Sequence, residues 1–221
     1  MNQQEFQQIC LENDILLSEE QFEKLSLYHD GLKEWNSKVN LISRKDEDNI
    51  FEKHILHSLS ILKYMKFKEN TRCLDVGTGG GLPGIPLGIA LPKMDMVLID
   101  SIAKKIKIAE ELSLASGQTN FKSLRGRCEK LELDRQYFRS FNYVVSRAVV
   151  RLDKLLDWTK RIIKVNARII LLKGGDLREE IKEAQKQHPG LIVNEYDLVI
   201  KGCDWYKNDE KKVLICKYKI K

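Results

Sequence analysis

Apolar side chains along this chain follow two different periods. Before residue 71 they recur every three or four positions, the spacing of one helix face. Phe22, Leu25, His29, Leu32 and Trp35 form one such stripe, and Ser18 with Gln21 forms the capping box that opens it. A second helix is predicted from near Asp46, with Phe51, Ile55, Leu59 and Leu62 as its stripe. Beyond Thr71, short apolar runs predict strands at 71–76, 94–99, 119–124, 141–146, 167–173, 191–200 and 211–220. Helices are predicted between the early ones, at Ile85–Leu91, Ala103–Ser116, Leu152–Ile163 and Asp176–His188. Strands alternating with helices predict an α/β fold with a mostly parallel, seven-stranded sheet. The last two strands follow each other without a helix, so an antiparallel hairpin is expected at one edge. Residues 1–70 are expected to form an N-terminal helical segment packed on a Rossmann-like domain of residues 71–221.

Composition narrows the setting. The 221 residues are 43% hydrophobic and 32% charged, the balance of an ordinary globular chain. No apolar run approaches the ~18 residues of a membrane span. The N-terminus lacks the basic-then-apolar order of a signal peptide. Cys10, Cys73, Cys128, Cys203 and Cys216 are scattered without a C-x-x-C, which argues against a zinc site or a disulfide framework. A cytoplasmic monomer without a metal is the simplest expectation. The net charge of +6 permits a nucleic-acid partner without demanding one.

The clearest chemistry lies in residues 73–90, CLDVGTGGGLPGIPLGIA, where a buried strand runs into a glycine loop and a helix. Gly77, Gly79 and Gly81 allow tight turns and close approach to a ligand, and helix N-terminal amides then face it. A formal G-x-G-x-x-G at Gly79–Gly84 would equally suit NAD. Asp75 favours S-adenosylmethionine: a carboxylate there attracts the ligand's amino group, whereas it would repel a pyrophosphate. Asp100, ending the next strand, suits a ribose diol or the N-cap of the following helix. Cys128 and Glu129, in the loop after the third strand, are candidates to touch adenine; a solvated loop is the alternative. Arg147 and Lys173 end the fourth and fifth strands, where α/β sheets place ligands, and each is either a substrate-holding cation or a salt-bridge partner. An NAD-dependent oxidoreductase would also need a hydride-handling site, and none is evident.

Taken in order, these residues resemble the ribosomal RNA small subunit methyltransferase G family, also called glucose-inhibited division protein B. The resemblance rests on WNSKVNLIS (35–43), EKHILHSL (52–59), LDVGTGGGLPGIPL (74–87), LIDSIAKKI (98–106), GRCEKL (126–131), VVSRAV (144–149) and LLKGG (171–175). The first two blocks lie outside a generic methyltransferase fold. The resemblance implies a class I S-adenosylmethionine-dependent methyltransferase, yielding S-adenosylhomocysteine. Its implied acceptor is N7 of one guanine in the 530 loop of 16S ribosomal RNA, free or in a small-subunit particle. It also implies that Gly77 and Leu82 line the cofactor, that Cys128 and Glu129 contact adenine, and that Arg147 lies at the active site, where it is expected to touch the cofactor as well. His57 stands where members often have Asp, and Gly80 where they often have Pro or Ala; Gly80 is expected to add flexibility.

The N7 atom carries an in-plane lone pair and no proton, so its methylation needs alignment rather than a general base. Consistently, the chain has neither the Asn-Pro-Pro-Tyr type motif of amine methylation nor a Pro-Cys nucleophile. Arg44, Lys45, Lys53, Arg125, Arg127, Arg147 and Lys173 are the candidate RNA-facing cations. Of these, Arg147, Arg127 and Lys173 are the candidate active-site cations, and Arg147 or Arg127 is expected to bond guanine O6. His54 reads as a packed, hydrogen-bonded histidine rather than a catalyst. The lysines at 211, 212, 217, 219 and 221 read as an edge strand with protective charge. Other acceptors, and a non-catalytic RNA-binding assembly module, remain the competing readings.

Overall fold

The structure is a computed structural model and describes residues 1–147 and 149–219. Two helices open the chain. α1 (Gln3–Glu12) begins with a capping box between Asn2 and Glu5. It buries only Phe6 and Cys10, too few for a visible stripe. α2 (Glu19–Lys38) starts at the predicted Ser18–Gln21 box and buries Phe22, Leu25, Tyr28 and Leu32.

The second predicted helix is present in place but irregular in path. It comprises a 3-10 stretch (Arg44–Asn49), a π-helical turn (Phe51–Leu56), α3 (His57–Leu59) and α4 (Ile61–Tyr64). Phe51, Ile55 and Leu59 are buried as expected, but so are His54, Leu56, His57, Ser58 and Ser60. A segment enclosed on nearly every side is not governed by one apolar face, and the wide turn carries His54 inward too.

Seven strands and the remaining helices then follow. They are β1 (Arg72–Val76), α5 (Gly84–Ala90), β2 (Asp95–Asp100), α6 (Ala103–Ala115), β3 (Phe121–Arg125) and β4 (Phe141–Arg147). After these come α7 (Leu152–Thr159), β5 (Ile163–Gly174), α8 (Arg178–Gln187), β6 (Leu191–Asp197), α9 (Trp205–Asn208) and β7 (Lys211–Tyr218). The sheet order is β3-β2-β1-β4-β5-β7-β6. It is parallel from β3 to β5, and β7 runs antiparallel to both β5 and β6.

Two expectations at the end of the chain are corrected. The last two strands do pair antiparallel at one edge, as expected, but they are not joined without a helix, because residues 198–210, including α9, intervene. The lysine-bearing β7 is not an edge either: it lies between β5 and β6, and β6 is the edge. Val213, Leu214, Ile215 and Cys216 are buried, and Lys212 Nζ is 2.6 Å from Glu195 Oε1 on β6. Ile220 and Lys221 lie outside the described residues.

The sheet is covered on both faces. One face packs against α5, α6 and the helices before residue 71 in a continuous core whose residues run from Phe6 to Ile215. The other packs against α7, α8 and a 3-10 turn at Cys128–Leu133. Hydrogen bonds stitch the N-terminal helices to residues 197–206. Asn13 Nδ2 donates to Lys201 O (3.0 Å) and Lys201 N donates to Asn13 Oδ1 (2.8 Å). Lys63 Nζ donates to Val199 O (2.8 Å), Tyr64 Oη to Asp197 O (3.0 Å), and Tyr206 Oη to Glu52 O (2.6 Å). Among the described residues no helix is long and apolar enough to cross a membrane.

Candidate active site

The carboxyl ends of β1, β2 and β4, with the loop after β3, enclose a cavity of about 560 Å³. It sits where β1 is flanked by β2 and β4, the crevice at which open α/β sheets take ligands. The glycine loop forms one wall. Gly77 (φ +69°) and Gly79 (φ +57°) hold left-handed conformations that disfavour other residues. A Cβ on Gly77 would lie 2.5 Å from Val149 Cγ2, so the loop after β4 approaches as closely as it does only because that carbon is missing. Gly77 N and Thr78 N donate to Ile99 O at 2.9 and 3.1 Å, which ties the loop to β2.

Two aspartates brace this wall differently. Asp100 lines the cavity, accepting from Gly79 N at Oδ2 (3.0 Å) and from Ile102 N at Oδ1 (2.8 Å). It is not the N-cap of α6, a position held by Ile102. Each of its oxygens keeps a lone pair for a further donor. Asp75 is fully buried and is not among the cavity's walls. Its Oδ2 accepts from Thr78 Oγ1 (2.6 Å) and Gly84 N (2.9 Å), so the carboxylate braces the loop from behind instead of facing a ligand. Burial pushes its pKa up to about 7, against the bonds from Thr78 and Gly84. Gly84 is required here, since a Cβ would come within 2.6 Å of Asp75 Oδ2.

Gly77, Gly79 and Leu82 line the cavity; Gly81 does not. Arg127, Cys128 and Glu129 line it from the loop after β3, with Arg127 Nη1 3.6 Å from Glu129 Oε1. Burial, reinforced by Glu129, pushes the Cys128 thiol up to about 12, which makes it an apolar wall rather than a nucleophile. Leu41, Thr78, Lys105, Val149 and Trp158 are cavity residues that sequence reasoning missed. Trp158 gave no signal, because an aromatic on an amphipathic helix reads as core.

Arg147 lines the cavity from the carboxyl end of β4, the strand beside β1. Its Nη1 donates to His54 Nδ1 at 2.9 Å. Burial, followed by the Arg147 charge, pushes the His54 pKa down to about 3, so the imidazole is neutral. Burial also holds His57 well below the ordinary histidine range, and its ring packs edge-on against Trp205 and Tyr206.

The WNSKVNLIS block builds the remainder of this wall. Asn36 Oδ1 accepts from Leu41 N and Ile42 N, each at 2.9 Å, and Asn36 Nδ2 donates to Glu47 Oε1 at 2.6 Å. This folds the chain so that Leu41 reaches the cavity. Tyr28, buried on α2, donates to Gly80 O at 2.9 Å. A Cβ on Gly80 would lie 2.9 Å from Leu32 Cδ1 and 3.3 Å from Leu41 Cβ. Gly80 therefore serves close packing rather than the expected flexibility.

The other expected cations divide. Lys173 is turned away from the cavity: its Nζ donates to Val150 O (2.8 Å) and pairs with Glu180 (2.9 Å). Glu180 also accepts from Leu152 N (2.7 Å), so the pair clamps the loop between β4 and α7. Lys53 pairs with Asp46 at 2.8 Å. Arg44, Lys45 and Arg125 are exposed and lie outside the cavity.

The sequence model of one family, described as rRNA small subunit methyltransferase G, matches residues 21–203. This chain belongs to that family. The methyltransferase G protein of Cytophaga hutchinsonii is 47% identical over 188 residues, covering 82% of this chain and 86% of that protein. That of Chlorobium phaeobacteroides is 41% identical over 180 residues, covering 81% and 79%. Among solved structures, TrmN from Thermus thermophilus superposes with a TM-score of 0.56 at 19% identity over 73% of this chain and 48% of its own, so this chain matches about half of that protein. An MtNAS variant in complex with S-adenosylmethionine superposes with a TM-score of 0.58 at 12% identity, covering 85% and 72%. The methyltransferase G fold of this chain is thus a class I methyltransferase fold with a helical N-terminal segment. The family match ends before Trp205 and Tyr206, which pack behind Arg147's neighbours.

Proposed function

We propose that this chain transfers the methyl group of S-adenosylmethionine to small-subunit ribosomal RNA, at N7 of one guanine in the 530 loop of 16S RNA. The observation that carries the proposal is one cavity lined by the glycine loop, Asp100 and Arg147 together. The residues suit S-adenosylmethionine. Asp100 retains acceptor capacity for a ribose diol, Cys128 and Trp158 offer apolar walls for a purine, and Gly79 leaves open space where a Cβ would stand. The bound cofactor supplies a methyl group activated by its sulfonium.

The chain's own task is then alignment and exclusion of water. Guanine N7 needs no deprotonation, and the cavity offers no spare imidazole: the Nδ1 lone pair of His54 is engaged by Arg147. Arg147 is placed to donate to the acceptor base, with O6 as the matching edge atom and N7 left for the methyl. The names of the curated relatives support the RNA class; the N7 position and the loop rest on the resemblance and on this chemistry.

The test is methyl transfer from labelled S-adenosylmethionine to small-subunit RNA and particles lacking the modification, with the labelled nucleotide mapped. Label at N7 of a single guanine in the 530 loop is the expected result. Label elsewhere would overturn the target, and cofactor binding without transfer to any RNA would favour an assembly module.

A further inference from the structure

We propose that His54 is a positioning residue that orients Arg147 toward the acceptor. The inference deepens the proposed function and rests on its assignment of Arg147 to the acceptor base. A guanidinium carries five N–H donors and no acceptor. The 2.9 Å contact between Arg147 Nη1 and His54 Nδ1 is therefore a bond in which the imidazole accepts. The ring is neutral and its proton sits on Nε2. One N–H of Nη1 is thereby fixed, the other points to Lys53 O at 3.5 Å, and those of Nε and Nη2 remain for a ligand in the cavity that Arg147 lines.

Two further features set this histidine apart from one held by packing alone. Its Nε2 is buried and has no hydrogen-bond partner among the described residues; the nearest carboxylate oxygen, on Asp46, is 3.9 Å away. A ring chosen only for core packing would gain by satisfying that nitrogen. The bond to Arg147 is the polar contact that the ring's orientation secures. The backbone beneath the ring is also pinned. Ser58 Oγ donates to His54 O at 2.7 Å and Tyr206 Oη donates to Glu52 O at 2.6 Å, holding the π-helical turn from both sides. Such turns are rare and recur at functional sites. His54 cannot at the same time serve as a general base, because its one lone pair is committed and its other nitrogen faces the interior.

The experiment uses the full chain and three variants. In ¹⁵N-arginine NMR, the Arg147 Nη resonances, assigned by their loss in Arg147→Lys, are expected to be separate because rotation of the guanidinium is hindered. They stay separate in His54→Asn, whose amide oxygen stands near the place of Nδ1, and merge in His54→Ala. Methyl transfer follows the same order: His54→Ala loses about ten- to a hundredfold in kcat/KM, and His54→Asn recovers most of it. Cofactor affinity changes less than about twofold in both. Should His54→Ala fail to fold, His54→Met fills the volume without an acceptor and takes its place. Separate Arg147 resonances in the variant without an acceptor, or His54→Asn as impaired as His54→Ala, would overturn the proposal. The NMR result needs no RNA substrate, so it stands or falls apart from the RNA target.

Discussion

Two walls of the cavity, the glycine loop and the one that carries Arg147, are built by opposite means. The glycine-loop wall is made of backbone: positive φ angles at Gly77 and Gly79, amides bonded to Ile99 O, and two aspartates within 25 residues of the loop. The Arg147 wall is made of side chains from distant segments. Tyr28 reaches Gly80, Asn36 folds the stretch that carries Leu41, and His54 meets Arg147 across 93 positions of sequence. A wall made of backbone tolerates changes of surrounding side chains as long as its conformation survives. A wall made of side-chain bonds loses function one contact at a time. Substitutions should therefore separate cofactor binding from methyl transfer according to the wall they touch.

The sharpest break is expected at Arg147. Arg147→Ala should lower methyl transfer by about 10²–10³-fold, the range for removing a donor aimed at the reacting group. Calorimetry should find cofactor affinity nearly unchanged. Equal losses in both would mean that the walls are not separable. Next in size is Asn36→Ala, which strands the amides of Leu41 and Ile42 and costs on the order of 3 kcal/mol. The melting temperature should fall by roughly 5–10 °C. A fall of a degree or less would show that water replaces the side chain.

At the glycine-loop wall the test is pH. The folded pKa of Asp75, about 7, lies above that of an unfolded aspartate, so the folded state holds its proton more tightly. The stabilisation is present below pH ~4 and lost as pH rises through ~7. Asp75→Asn keeps an acceptor for Thr78 and Gly84 and does not titrate. Relative to the unsubstituted chain it should gain on the order of 2 kcal/mol between pH 5 and 8, read from melting curves. A gap constant with pH would show that the carboxylate titrates normally. The smallest effect is expected at Gly80, where the two walls meet. Gly80→Ala presses on Leu32 and Leu41 and should cost about 1 kcal/mol. Leu32→Val in the same chain should restore most of it; no restoration would locate the cost in the loop's backbone.

This division also explains what the sequence disclosed. Strand runs, the glycine loop and Asp100 are local patterns, legible because conformation at each position follows from its near neighbours. The sheet's mostly parallel order followed from alternation, whereas the interior place of β7 did not, since no local signal says which neighbour a strand will choose. Lys173 shows a related limit. Its position at a strand end was readable, but it lies on the same side of β5 as Leu171, over α7 and α8, where Glu180 takes it. Asn36 and His54 lay inside quoted blocks, yet their partners are 5 to 93 residues away, and a sequence carries no distance between them. The π-helical turn was invisible because its apolar spacing imitates an ordinary helix.

The stitching of the N-terminal helices to residues 197–206 bears on synthesis. During translation the glycine loop emerges with its own strand and helix, and its turns can form early. The turn bearing His54 waits for Tyr206, made 154 residues after Glu52. A nascent chain, or a product terminated before residue 197, would thus possess the loop without the clasp that steadies the Arg147 wall. The clasp on that turn is among the last contacts that synthesis makes possible.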